Sequence, residues 1–292
     1  EVNVADMTIS LKKHYADFKA DCMLILGDAV KIGWDMSNSV AMLEGEPGVW
    51  TATVYLAADQ GFKFYAENDI FNGFQYRAAG EENVTLAEGA ATSLVSSEVN
   101  RNDSKFQVAE AGNYIITCDL NAGTITVKKA DYQDNEIVYA ALWLVGDATE
   151  NGWDLGQPVV LAQDASNPMV YTATADLKEG ELQVVVNKFT SYNSDVYVSD
   201  ATDATKAVRV NKDSEKNNWK ITEAGKYDVK LNVLDNTMSI IKNVPSAISS
   251  VNANGEQAPV EYYTLEGMRV NQQVKGIYIM RQGNKVVKVS NK

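Results

Sequence analysis

Apolar and polar residues alternate with a period of two through most of this chain, and no long segment keeps a helical period of 3.6. Trp50, Ala52, Val54 and Leu56 fall on one face of a predicted strand, with Thr51, Thr53 and Tyr55 on the other. Tyr171, Ala173, Ala175 and Leu177 repeat that arrangement against Thr172, Thr174 and Asp176, and Tyr227, Val229, Leu231 and Val233 alternate with Asp228, Lys230 and Asn232. Side chains along a strand point alternately to opposite faces, so each segment buries one face and wets the other. Short half-buried strands separated by Gly, Asn and Asp clusters predict an all-β chain of antiparallel β-sandwiches.

The pattern occurs twice. Leu26-Gly27-Asp28-Ala29 followed by Gly33-Trp34-Asp35 returns as Val145-Gly146-Asp147-Ala148 followed by Gly152-Trp153-Asp154. Pro47 to Thr53 matches Pro168 to Thr174, and Glu110-Ala111-Gly112-Asn113-Tyr114 matches Glu223-Ala224-Gly225-Lys226-Tyr227. The Glu-Ala-Gly-x-Tyr phrase before a late strand resembles the tyrosine corner of immunoglobulin-like sandwiches. The predicted fold class is tandem immunoglobulin-like antiparallel β-sandwiches plus a small C-terminal β domain. The expected boundaries are a lead-in at 1–19, a first sandwich at 20–130, a second at 131–244 and a C-terminal domain at 247–292. Met7 to Lys13 in the lead-in reads either as the last strand of an upstream module or as an ordinary first strand.

Length and composition fit this division: 292 residues, 45% hydrophobic and 22% charged, are ordinary for a folded chain of two modules and a small third. No apolar run is long enough for a membrane helix. A net charge of −13 argues against nucleic acid as a partner, because phosphate binding needs clustered Lys and Arg. The C-terminal stretch departs from that balance, with Arg269, Lys275, Arg281, Lys285, Lys288 and Lys292 against Glu256, Glu261 and Glu266. Cys22 and Cys118 both stand at core-facing strand positions, as two buried free thiols or as one disulfide.

Five tryptophans divide into two groups. Trp50 and Trp219 lie on apolar strand faces and Trp143 in a wholly apolar strand aligned with Leu24, so all three are expected in the core. Trp34 and Trp153 each stand between a Gly and an Asp after a strand, where alternation asks for no large apolar group. An indole in a loop either packs as a plug over the sandwich end or is displayed as a platform. A sugar ring offers a flat patch of C–H groups ringed by hydroxyls and suits such a platform. In Gly61-Phe62-Lys63-Phe64-Tyr65 the two Phe face the core, so Lys63 and Tyr65 point the other way, Lys63 as a donor to hydroxyl oxygens or as a solvated charge. Asn72, Phe74, Gln75, Tyr76 and Arg77 read as an aromatic-rich loop beside it, with Tyr76 a candidate to close the site.

The Gly27-Asp28-Ala29 and Gly33-Trp34-Asp35 opening, the Gly61-Phe62-Lys63-Phe64 strand and the Glu110-Ala111-Gly112-Asn113-Tyr114 ending, in that order, resemble the SusE/SusF family, outer-surface starch-binding lipoproteins of Bacteroidetes built from tandem immunoglobulin-like modules. The resemblance covers roughly residues 20–243. It implies that Trp34 stacks on glucose, that Lys63 bonds to hydroxyls and that an Asn near the last strands, here Asn102, assists. The second copy departs from the pattern: Leu182 aligns with Phe62, so Gln183 occupies the slot of Lys63, and Lys188, Asn187 or Asn218 would have to substitute beside Trp153. The resemblance also implies a glucan partner, other outer-membrane glycan-uptake proteins and a location at the surface of a Gram-negative cell. Tyr263 to Val270, Gly276 to Ile279 and Lys285 to Val289 resemble a second known unit, the C-terminal sorting domain of type IX secretion, which implies export.

Catalysis has little to work with. His14 is the single histidine and lies in the lead-in, far from either loop. No phosphate-cradling Gly loop or calcium loop is present. Two carboxylates would suffice for glycoside hydrolysis, but Asp28, Asp35, Asp147 and Asp154 suit turn and cap duty. The expected protein is a non-enzymatic glycan binder with no cofactor or metal. A structural or adhesive surface protein, or the accessory region of a larger glycan-degrading enzyme, stands as the alternative.

Overall fold

The computed structural model describes residues 2–3, 8–9, 20–67, 73–243, 259–265, 267–270, 276–283 and 285–291. The chain divides into two compact units, Glu1–Asn243 and Val244–Lys292. The described secondary structure is strand apart from one short 3-10 turn, Lys188–Thr190, and the sheets are antiparallel except where Val84–Leu86 runs parallel to Phe106–Val108. In the lead-in Thr8–Ile9 pairs antiparallel with Val2–Asn3; the rest of Met7 to Lys13, like His14, lies outside the described residues.

In the first sandwich, one layer holds strands Leu24–Gly27, Phe62–Tyr65 and Gln75–Ala78, and the other holds Val49–Leu56, Gly112–Asp119 and Thr124–Lys129. Strand Thr92–Ser96 turns the corner between layers, its last residues pairing with Tyr76–Ala78 and its first two with Thr124 and Ile125. The alternation read from the sequence sets the packing: Trp50, Ala52, Val54 and Leu56 are buried and meet Met23, Ile25, Phe62 and Phe64 from the facing layer. The three phenylalanines Phe62, Phe64 and Phe106 cluster with ring centroids about 6 Å apart, the tilted geometry aromatic rings favour.

The second sandwich repeats the plan. Strand Val159–Gln163 carries the chain from the layer of Ala141–Val145 to that of Val170–Leu177 and Gly225–Asn232. Both copies close their late strand with the same device: the Tyr114 hydroxyl donates to the Glu110 carbonyl at 2.8 Å and the Tyr227 hydroxyl to the Glu223 carbonyl at 2.7 Å. The tyrosine corner expected from the sequence is present twice. One side differs. The first sandwich is covered by Val84–Leu86, which inserts Leu86. In the second, Lys206 and Thr237 make a lone bridge there, and a groove of about 1010 Å³ lies open along Trp219, Met238 and Ile240.

A third apolar cluster joins the two sandwiches. Cys22, Leu24, Leu26, Tyr65 and Ala41 of the first meet Ala141, Trp143, Val145, Val185 and Val196 of the second. The front strands are therefore buried on both faces, which explains why Leu24–Gly27 and Ala141–Val145 read as continuous apolar runs. Trp143 is core, as expected, but its core is the join rather than the sandwich interior. The same arrangement rules out a Cys22–Cys118 disulfide. Cys22 faces the join and Cys118 the interior of the first sandwich, and both are free buried thiols. Burial, then the charges of Asp21 and Glu67, push the Cys22 thiol up to about 12, so it stays protonated and unreactive.

The described strands of the C-terminal unit form one antiparallel sheet in the order Arg269–Val270, Val260–Tyr263, Gly276–Gln282, Lys285–Asn291.

Candidate functional site

Each loop tryptophan is positioned by the phrase that surrounds it. Gly27 adopts φ +146, and a Cβ there would lie 2.1 Å from the Gly61 carbonyl oxygen; Gly146, at φ +143, meets the Glu181 carbonyl oxygen at the same distance. No other residue fits. Each loop then closes on itself, with the Gly27 amide donating to the Gly33 carbonyl at 3.0 Å and the Gly146 amide to the Gly152 carbonyl at 2.9 Å. The Trp34 indole N–H donates to Asp28 at 3.0 Å, and that of Trp153 to Asp147 at 2.9 Å. The Asp of Gly-Asp is thus an indole anchor, whereas Asp35 and Asp154 cap the following turns by accepting from Ser37 and Gly156. Both indoles end half-buried, one edge packed on the inter-sandwich cluster. Platform and plug are each half right.

In the first sandwich Lys63 points away from Phe62 and Phe64, as the alternation requires, but into a covered face. It is 6% exposed. Its ammonium lies 2.5 Å from Asp103 Oδ1, 5.6 Å from the Trp34 ring centroid and 5.5 Å from that of Tyr65. Lys105 completes the group, 2.8 Å from Asp103 Oδ2 and 5.8 Å from the same indole. The pair shifts unequally. Burial lowers the pKa of Lys63 despite the attraction of Asp103. At Asp103 burial acts in the raising direction, and the hydrogen bonds and charges of Lys105 and Lys63 outweigh it to hold the carboxyl below its ordinary range.

Two candidates move. Tyr76 is not in a loop: Gln75–Ala78 is a strand, and Tyr76 is wholly buried in the first sandwich beside Phe74, at 5.3 Å between ring centroids. Burial drives its hydroxyl pKa well up. A ligand outside the core cannot reach it. Asn102 is exposed; its carbonyl accepts from Arg77 at 2.7 Å and its amide reaches the Gly80 carbonyl at 3.4 Å. Asp103, its neighbour, is the residue that enters the Trp34 group.

Around Trp153 the structure builds a cleft of about 380 Å³, lined by Trp153, Tyr192, Gln183, Asn218, Lys212 and Lys216, with Val196 beneath. Gln183 stands where Lys63 stands in the first copy and is 3% exposed. Its carbonyl oxygen and that of Asn218 are buried with no hydrogen-bond partner, although Asn218 gives its amide to Glu181 at 3.1 Å. Lys188, the sequence candidate for this site, is elsewhere, its ammonium 4.9 Å above the ring of Phe189. Lys212 and Lys216 are the lysines of the lining instead.

Tyr192 had no signal in the sequence. It is delivered by a turn in which Ser191 and Tyr192 are both left-handed, at φ +50 and +64, each costing about 1–3 kcal/mol in non-glycine residues. The Tyr192 hydroxyl donates to the Trp153 carbonyl. Asn187 over-determines the turn: its carbonyl oxygen accepts from the Phe189 amide at 2.9 Å, while its own side-chain amide crosses to Ser39 of the first sandwich. Asn38 Oδ1 accepts from the Asp195 amide at 2.8 Å, pinning the other end.

No protein-family model matches the chain, and no curated protein does. Among solved structures it is similar to SusF from Bacteroides thetaiotaomicron, at 13% identity and a TM-score of 0.30, covering 76% of this chain and 47% of that one. The chain thus spans about half the length of that structure. Similarity at that level leaves this chain's own side chains to say what it binds. Among the described residues no helix is long and apolar enough to cross a membrane, and no group of His, Cys, Asp and Glu is arranged to hold a metal.

Proposed function

We propose that this chain is a non-catalytic, surface-displayed glycan-binding protein whose tandem β-sandwiches each offer a sugar an indole face. The observation that carries the reading is the cleft at Trp153. Two aromatic walls stand beside two buried amide carbonyls that lack donors. Leaving such a group buried and unsatisfied costs about 1–3 kcal/mol, and sugar hydroxyls supply donors while their C–H faces stack on Trp153. The Trp34 group, with Lys63 and Lys105, is the counterpart for a neutral chain, with a glucan favoured. Other glycan-uptake proteins of the outer membrane and export through the basic C-terminal unit belong to the same reading. Isolated sites of this kind hold ligands at micromolar to millimolar dissociation constants, and two on one polymer gain from effective concentration.

Calorimetric titration with maltoheptaose and a panel of other oligosaccharides tests it. Trp153→Ala should abolish binding at one site and Trp34→Ala at the other, with the fold retained. Unaltered binding in both variants rejects the sites.

One observation favours the structural alternative. Both indole N–H groups are already committed to Asp28 and Asp147, and both rings pack on the join. A scaffold whose tryptophans lock two sandwiches together would show no saccharide binding in that panel.

A further inference from the structure

We propose that the cleft of the second sandwich takes a carboxylate-bearing sugar, so that the two modules differ in the charge of the glycan they accept. The inference rests on reading that cleft as a sugar site. Its lining has two lysines and no carboxylate. The Lys216 ammonium is held by neutral groups, the carbonyls of Lys212 at 2.8 Å and Ser214 at 3.4 Å, so no acid cancels its charge there. Lys212 pairs at 2.9 Å with Asp213, whose side chain is 78% exposed and outside the cleft; exposed pairs of this kind are weak and exchange readily. Glu181, behind the lining, already accepts from Asn218 at 3.1 Å and faces Lys220 at 3.8 Å, and Asp154, whose charge acts on Tyr192, caps its own turn by accepting from Gly156.

The polar groups divide the ligand's chemistry between them. The carbonyl oxygens of Gln183 and Asn218 accept only and call for hydroxyl donors. An ammonium donates only, and its strongest partner is an anionic oxygen. A ring that bears both hydroxyls and a carboxylate answers both demands beside the face of Trp153; a neutral hexose answers the first and leaves the charge unmatched. In the first sandwich both ammonium groups, of Lys63 and Lys105, already have a carboxylate partner in Asp103, at 2.5 and 2.8 Å. An acid entering there would have to compete with Asp103, whereas at Lys216 it would meet only neutral carbonyls.

The test uses the full chain and three probes: an oligogalacturonate, its methyl ester, which keeps the ring hydroxyls and loses the charge, and maltoheptaose. The acid should bind with roughly tenfold or greater preference over the ester, the scale of one charge-assisted hydrogen bond. Lys212→Met/Lys216→Met should erase that preference, and Trp153→Ala should remove binding of acid and ester together. Preference for a sulfated oligosaccharide over the uronate would assign the charge to a different anion and overturn the carboxylate proposal. Equal binding of acid and ester overturns it too and leaves the sugar site standing. If no saccharide binds the wild-type chain, both the inference and the reading beneath it fail.

Discussion

Asn187 of the second sandwich donates its side-chain amide to Ser39 Oγ of the first at 2.9 Å, and neither residue has any exposure to solvent. The bond ties the turn that carries Tyr192 to the neighbouring module. Asn187→Ala should therefore weaken saccharide binding at Trp153 without touching the ligand, and cost about 1–3 kcal/mol of stability through the buried groups left unpaired. Chemical denaturation and calorimetric titration of the same variant measure both. Wild-type affinity would mean that the turn stands without its clamp.

The shared cluster around Trp143 makes the two sandwiches one cooperative body. Trp143 is 1% exposed and packs against both modules, so Trp143→Ala should cost about 3–5 kcal/mol. Differential scanning calorimetry should show residues 20–243 melting in one transition, lowered in the variant. Two separated transitions for the sandwiches in the wild-type chain would contradict a common core.

Glycines at the two ends of each tryptophan loop should behave differently. At Gly146 an added Cβ meets the Glu181 carbonyl oxygen at 2.1 Å, whereas at Gly152 it meets nothing within 4 Å and only the left-handed φ of +63 resists it. Gly152→Ala should cost about 1–2 kcal/mol, and Gly146→Ala clearly more. Equal losses in an equilibrium unfolding series would contradict the close approach.

The Asp103 group gives a pH signature. Its carboxyl titrates below the ordinary carboxylate range, so its contribution is present above the unfolded-state pKa and is lost as pH falls through the folded one. The pKa of Lys63 is lowered as well, but by burial, which disfavours its charged form, and stability gained from its deprotonation appears only as pH rises from the folded value toward 10.5. Asp103→Asn should therefore destabilise the chain at neutral pH, by leaving a buried ammonium short of its acid, and converge with wild type in acid. Lys63→Met added to it should restore part of the loss. A difference independent of pH would assign the effect to packing.

Much of the fold was legible in the chain because alternation with a period of two is a direct consequence of strand geometry. Trp50 to Leu56 and Tyr227 to Leu231 bury the residues that the pattern marks. Legibility ends where a second surface covers the first. Lys63 points where alternation sends it, yet that face is closed, and no local pattern announces the covering. Tyr76 reads as loop because Asn72, Gly73 and Gln75 have turn composition, while the pairing of Tyr76 with Phe64 and Ser96 decides for strand. Cys22, expected on a strand, lies just ahead of Leu24–Gly27 and continues the face of Leu24 and Leu26 toward the join, whereas Cys118 faces the first interior, which only the packing of layers settles. Around Trp153 the aligned slot pointed to Gln183, and Asn218 was among the substitutes. Tyr192, Lys212 and Lys216 come from segments without a counterpart to align, so they were out of reach.

The central claim is that a half-buried indole in the second sandwich is where a saccharide lies. Fluorescence titration tests it most directly, because Trp34 and Trp153 are half-buried whereas Trp50, Trp143 and Trp219 are shut in the cores. The saturable change in emission that remains in Trp34→Phe should be missing from Trp153→Phe, which keeps only the response of the Trp34 site. An identical titration curve in the wild type and in Trp153→Phe would contradict it.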